Sequence, residues 1–314
     1  MSSAIRTIVA GVSQLTRDDP ALIAAADLAR EAGAALHLVH AYEVPHLHAL
    51  PHHHALAQYQ AELHGRLVEA VDGRFGREPV CHVVHGAPAG SILRVADDAG
   101  ADLVIVGAGS HGLLGSAAGR VLRDAKVPVL VVRRPVQRPL ERVLLATDLT
   151  DVSAAAHERG LDAAAALLGE PEAIRALMVV GPGTLPAPLP QDALDRTARA
   201  ELRTYLRARA PRRARVQAAV RSGHATEEIV AEAQAWKADL LIVGTHGRVL
   251  LGSVAEGVIR GAPCNVLAVP PGRTAAAAPS AGAASTAGAA PAAELAGWTA
   301  AGRRRPEQPA ASRG

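Results

Sequence analysis

The sequence predicts an α/β fold built twice: two domains, each a parallel sheet of five strands with helices on both faces. Two observations predict it. Short, near-continuous apolar runs alternate with helix-period segments up to Pro271, and strands of that kind belong to parallel sheets buried on both sides. The chain also repeats itself. GAPAGSILRVADDAGADLVIVGAGSHGLLGS starts at Gly86 and GHATEEIVAEAQAWKADLLIVGTHGRVLLGS at Gly223, and the two run in step to Ser116 and Ser253. A period of roughly 137 residues is far too long for a solenoid unit and fits a duplicated domain.

In the first copy, strands are expected at 6–10, 35–41, 79–85, 102–107 and 127–132. Its first helix is well marked, with Asp19 as N-cap, Pro20 at the first helical position and Gly33 just past the end. Further helices fit 55–72, 89–99 and 116–125. In the second copy, strands are expected at 142–146, 173–180, 214–221, 239–243 and 265–269. RTIVAGVS from Arg6 stands beside RVLLATDLT from Arg142, which sets Val12 against Asp148. RRPVQRP (133–139) links the copies, so the domains are expected at 1–134 and 140–271. From 272 to 314 the chain is mostly Ala, Pro, Gly and Ser, with Leu295 and Trp298 its only large apolar residues. Such a tail cannot bury enough surface to offset its ordering entropy and is expected to be disordered.

Composition narrows the function. Apolar residues make up 49% of 314 and aromatics 2%, so the cores must be aliphatic. The same lack of aromatics removes the stacking platform that single-strand binders use. With a net charge of only +3, nucleic acid is not an expected partner. No apolar run is long enough to span a bilayer, and MSSAIRTIVAGVS lacks a signal peptide's apolar region. Cys81 and Cys264 lie far apart with no CxxC, which suggests neither a disulfide framework nor a zinc site. A cytoplasmic protein is expected, with no membrane partner.

Two glycine-rich stretches carry the candidate chemistry: GAGSHGLLGS (107–116) and GTHGRVLLGS (244–253), each between an apolar strand and a helix. Glycine lets the backbone approach an anion, and a helix start adds converging N–H groups. Gly244, Gly247, Gly252 and Ser253 are the candidates for that role. The alternative is a tight turn, with Ser253-Val-Ala-Glu256 as a capping box. The loop lacks the Walker lysine and is not a P-loop. Asp148, at a strand's end, has the same two readings: a ligand contact, or a cap for loop N–H groups.

ADLLIVGTHGRVLLGSVAEGVIRGAPCNVLAVP, with RVLLATDLT and GADLVIVG, resembles the universal stress protein domain, and the resemblance covers both copies. It implies a Rossmann-like five-stranded fold and, in one branch, ATP or AMP binding through Gly-x2-Gly-x9-Gly-Ser/Thr. An Asp after strand one and a Val at the end of strand two then meet the adenosine. Asp148, Val179, Gly244-x2-Gly247 and Gly252-Ser253 match that pattern, but four residues, not nine, separate Gly247 from Gly252. A shorter loop offers fewer N–H groups to the phosphates, and each charge-assisted hydrogen bond forgone would cost about 1.5–3 kcal/mol. The first copy departs further. Val12 cannot accept a ribose hydrogen bond, and only two residues separate Gly112 from Gly115. Nucleotide is therefore expected in the second copy alone. The alternative is an interaction module of the same fold that binds no nucleotide. In the family the last strand lies at the sheet edge and serves for pairing. VPVLVV (127–132) and CNVLAV (264–269) are apolar and uncharged, so the copies are expected to pair through them, with a homo-oligomer also compatible.

HAYEVPHLHALPHHH supplies His40, His46, His48, His52, His53 and His54. Imidazole binds metals, but Pro45 and Pro51 frame an irregular loop without zinc-site spacing, and no metal is assigned. No Ser/His/Asp order and no GxSxG occurs, so no catalytic residues and no enzymatic turnover are expected. No ligand set for Mg²⁺ can be named.

Overall fold

Strand pairing organises the molecule. The computed structural model describes residues 5–43, 53–71, 78–109, 115–181, 191–245 and 252–271, without the side chains of 53–55 and 191–195. Gly247, Gly112, His46, His48, His52 and the tail from 272 lie outside the described residues.

The first copy runs β1 (Thr7–Gly11), α1 (Pro20–Ala32), β2 (Ala35–Tyr42), α2 (His53–Val71), β3 (Val80–His85), α3 (Pro88–Asp98), β4 (Leu103–Gly107), α4 (Ser116–Asp124) and β5 (Val129–Val132). The second runs β6 (Arg142–Ala146), α5 (Asp151–Leu168), β7 (Ala173–Val180), α6 (Gln191–Arg209), β8 (Arg215–Ser222), α7 (Ala225–Ala235), β9 (Leu240–Gly244), α8 (Ser253–Gly261) and β10 (Asn265–Val269). The sheet order is β3-β2-β1-β4-β5-β10-β9-β6-β7-β8. Each half is parallel, and β5 and β10 meet antiparallel, with Val131 opposite Val266. Two five-stranded sheets thereby become one of ten strands.

Composition explains the junction. Every residue of β5 and β10 is buried, and each strand alone would expose an apolar edge. The linker secures the seam. Backbone N–H groups of Arg133 and Arg134 donate to Asn265 Oδ1 at 2.8 and 3.2 Å. The Arg133 guanidinium donates to the carbonyls of Ile259 and Arg260 at the end of α8, groups a helix leaves without intrahelical partners.

Helix α1 follows its sequence signals. Asp19 Oδ1 accepts from the N–H groups of Ala21 and Leu22, and Gly33 closes the helix at φ +63°. Close approach matters at Gly160 on α5, where a Cβ would lie 2.6 Å from Ile242 on β9. The helix can therefore pack against the strand that leads into the second glycine loop.

Strand register corrects one expectation. Ile8 pairs with Leu103 and Val143 with Leu240. Asp102 accepts from the N–H groups of Arg6 and Thr7, and Asp239 from those of Glu141 and Arg142. Thr7, not Arg6, is thus the counterpart of Arg142, so Val12 matches Thr147 and Ser13 matches Asp148. The arginine shared by RTIVAGVS and RVLLATDLT aligned the strands one residue out of step.

Candidate nucleotide site

The second copy holds a cavity of about 290 Å³ at the carboxyl ends of β6, β7 and β9, closed by the first turns of α7 and α8. It sits where the strand order reverses: β6 has β7 on one side and β9 on the other. Ligand crevices of open α/β sheets form at such points. Asp148, Val179, Gly244, Gly252 and Ser253 all line it. The structure thus brings together five sequence-predicted residues from three strand ends and one helix start; the sixth, Gly247, lies outside the described residues.

Thr147 extends the end of β6, its N–H donating to the Leu177 carbonyl at 3.0 Å. Leu149 then turns the chain at φ +61°, a conformation costly for a residue with a branched side chain. Thr150 caps α5 and accepts from the Ser153 N–H. Between them, Asp148 Oδ1 accepts from the Thr150 N–H at 3.0 Å, the Thr150 hydroxyl at 2.7 Å and the Ser153 hydroxyl at 2.6 Å. Burial pushes the Asp148 carboxyl up, but the Ser153 and Thr150 hydrogen bonds outweigh it and hold the group below the usual carboxylate range. The cavity therefore presents an ionised acceptor at neutral pH.

Gly244 has a packing reason as well. A Cβ there would lie 3.1 Å from the Ala156 Cβ on α5. At α8 the capping-box expectation is corrected. Gly252 is the N-cap and makes no side-chain cap, and Ser253 is the first helical residue. The Glu256 N–H donates to the Gly252 carbonyl, while its carboxylate pairs with Arg260 at 2.7 Å instead of reaching back. Helix α8 thus turns its start toward the cavity without a capping side chain from Gly252.

The first copy solves the same turn differently. Ser13 stands in place of Asp148, and its N–H and hydroxyl both donate to Asp19 Oδ2, as does the Gln14 N–H. Asp19 is only 1% exposed. At Gly11 a methyl would lie 2.5 Å from Ile92 Cδ1, so Ile92 packs tightly over the strand end. The counterpart, Ala146, lines the second copy's cavity.

Behind Asp148 lie groups that sequence reading missed. His157 on α5 is fully buried; its Nε2 contacts the Ala146 carbonyl at 3.1 Å and its Nδ1 the Tyr205 hydroxyl at 2.5 Å. Burial lowers the His157 pKa to about 4, so the ring is neutral. The only sequence signal was a polar residue among the alanines of DVSAAAHERG. In the histidine stretch, His40 Nδ1 donates to the Val12 carbonyl. Among the described residues, no three metal-ligating side chains gather. Cys264 is buried and its thiol is pushed up to about 11, chiefly by burial, which leaves it protonated.

Comparison with known proteins concerns the fold and the family. A universal stress protein from Archaeoglobus fulgidus DSM 4304 superposes with a TM-score of 0.62 at 19% identity, covering 85% of this chain and 97% of its own. A functionally unknown protein from Pseudomonas aeruginosa PAO1 superposes at 0.58 with 20% identity, covering 85% and 93%. At such identities the likeness concerns the fold. Over 54 residues, 16% of this chain, the sequence is 48% identical to Universal stress protein A homolog 2 of Coxiella burnetii (strain RSA 493 / Nine Mile phase I), and it spans only 37% of that relative. Among the described residues, no helix is long and apolar enough to cross a membrane. The profile of the universal stress protein family matches residues 4–133 and again 139–270, and the chain therefore belongs to the universal stress protein family, carrying its domain twice.

Proposed function

We propose that the cavity of the second copy binds an adenine nucleotide, ATP or AMP, and that the chain acts in the cytoplasm as a stress-response binding protein without turnover. The observation that carries this reading is the convergence of Asp148, Val179, Gly244, Gly252 and Ser253 on one cavity at the strand-order reversal. Its volume stands near the lower end of the ~300–1,000 Å³ range of small-molecule sites, a size for a nucleoside with its phosphates directed outward. The ionised Asp148 accepts hydrogen bonds from the ribose hydroxyls. Val179 supplies an apolar wall for the base. Gly244 and Gly252 leave room for close backbone approach, and the start of α8 favours the phosphates. The first copy serves as a scaffold partner through β5.

A second reading has one observation in its favour. Asp148 already accepts three hydrogen bonds from its own turn, which is what a purely structural cap would do. In that reading the protein is an interaction module of the same fold. Titration calorimetry with ATP decides between them. The proposal expects saturable binding that Asp148→Ala weakens at least tenfold, with no phosphate released. Heat at the level of dilution up to millimolar ATP would overturn it.

A further inference from the structure

The turn that presents Asp148 is held from behind by a buried polar circuit. The Ala146 carbonyl can only accept, so His157 Nε2 carries the hydrogen and donates to it at 3.1 Å. In the neutral ring Nδ1 then accepts, and the Tyr205 hydroxyl donates to it at 2.5 Å. Thr147 neighbours the Tyr205 hydroxyl and counters the rise that burial gives its pKa, and the Thr147 oxygen accepts from the Leu149 N–H at 3.0 Å. His157 through the Ala146 carbonyl and Thr147 through the Leu149 N–H both hold residues 146–149. Two helices distant in sequence, α5 and α6, thus clamp the four residues that include Asp148 and the left-handed Leu149.

Among its described residues the first copy has no such arrangement. By strand register Val12 replaces Thr147. On α1 Leu22 stands where α5 has His157, since Ala21 packs under Gly107 as Ala156 packs under Gly244. AELHGRL (61–67) on α2 answers to AELRTYL (200–206) on α6, with Leu63 and Leu67 buried as Leu202 and Leu206 are, so the exposed Arg66 stands where α6 has Tyr205. Leu149 and Lys237 are the only non-glycine residues with positive φ among those described, so the first copy's turn carries no such conformation. The copy with the apolar backing has Ser13 in place of Asp148, held by the Asp19 carboxylate. The copy with the polar circuit has Asp148 itself, aimed into a cavity.

We infer that His157 and Tyr205, acting on the Ala146 carbonyl beside Thr147, are positioning residues: they hold the 146–149 turn with its left-handed Leu149 and so aim the Asp148 carboxylate into the cavity. The consequence for nucleotide affinity rests on the reading of that cavity as a nucleotide site. The positioning itself does not, so the two can fail separately.

The test uses the full chain labelled with ¹³C at aspartate, and follows the Asp148 carboxyl by NMR as a function of pH. In Tyr205→Phe the ring stays and the circuit opens. The Asp148 titration is expected to move up toward the ordinary aspartate range, because the turn no longer presents Ser153 and Thr150 to it. ATP affinity is expected to fall about tenfold. Leu149→Gly in that background is the decisive variant, because glycine adopts the left-handed conformation without help. It should return both titration and affinity close to wild type without restoring thermal stability. An unshifted Asp148 titration in Tyr205→Phe overturns the inference, and so does failure of Leu149→Gly to rescue a shifted one. If Tyr205→Phe does not fold, Thr147→Val opens the circuit at a residue type the first copy already carries at that position, and the same two outcomes apply. If wild-type protein binds no ATP, the nucleotide reading falls while the carboxyl titration still decides the positioning.

Discussion

The turns after β1 and β6 follow the same ladder and end in opposite arrangements. After β1, the buried Asp19 reaches from the helix cap back to the strand, holding Ser13 and Gln14 with one oxygen and Ala21 and Leu22 with the other. After β6, capping passes to Thr150, and the carboxylate has moved to the strand side, where it lines a cavity. The first copy uses its acid for stability and the second places its acid at a ligand-sized opening. A duplicated domain can therefore keep one fold while the turns after its first strands use their acids differently.

The largest expected effect breaks the partnership between the copies. Val266 is fully buried opposite Val131, and Val266→Glu would place an unpaired carboxylate in the middle of the ten-stranded sheet. A loss of about 3–5 kcal/mol is expected, read as a collapse of the denaturation midpoint at neutral pH that recovers partly in acid. An unchanged midpoint would mean the junction is not tightly packed.

Next comes a crossed pair of substitutions. Asp19→Ala removes a helix cap and leaves buried N–H groups unmet, at a cost of about 2–3 kcal/mol, with ATP binding retained. Asp148→Ala should cost less stability and weaken ATP binding. Urea denaturation and calorimetry on the same two variants check both halves. Equal stability losses would erase the contrast between the turns.

His157 sharpens the comparison through pH. Its folded-state pKa lies near 4, below the unfolded value near 6.5, because burial disfavours the charged ring. The unfolded chain binds the proton first, so stability is full above about pH 6.5 and falls as pH drops toward 4, by up to about 3 kcal/mol. His157→Leu, which copies Leu22, should flatten that part of the stability curve. His37 and His82, 3.0 Å apart in the first copy, are also lowered by burial, and they share the slope left in the variant with the depressed carboxylates of Asp148 and Glu232.

The smallest effects concern helix starts. Ser253 is the first helical residue and not the N-cap, so Ser253→Ala should change stability by only about 0.3 kcal/mol. Thr150→Ala, at a true N-cap, should cost about 1 kcal/mol. Matching losses in thermal melts would restore the capping-box reading of Ser253.

Much of the fold was legible along the chain. All ten strands lie within two residues of where the apolar runs placed them, and the cap at Asp19 and the stop at Gly33 follow from local chemistry. The site was legible as a set of residues. Gly244, Gly252 and Ser253 could be named because a glycine-rich stretch between strand and helix is a short-range feature, and Asp148 and Val179 because the resemblance to the universal stress protein domain implies an Asp and a Val at those strand ends. Thr147, Leu149, His157 and Tyr205 could not. A threonine in ATDLT and a tyrosine in an arginine-rich helix carry no signal until they meet.

By itself the sequence determined the duplication, the alternation of strand and helix, the apolar fifth strands and both caps of α1. Those depend on hydrophobic period and on hydrogen bonds between near neighbours. Only the tertiary structure decided that Ser13, and not Val12, answers to Asp148, because register is set by hydrogen bonds between strands some 95 residues apart. It also decided that His157 meets Tyr205 across 48 residues and closes a polar circuit behind the turn. Such a contact exists only once two helices pack on the same face of the sheet and exclude water from the polar groups between them.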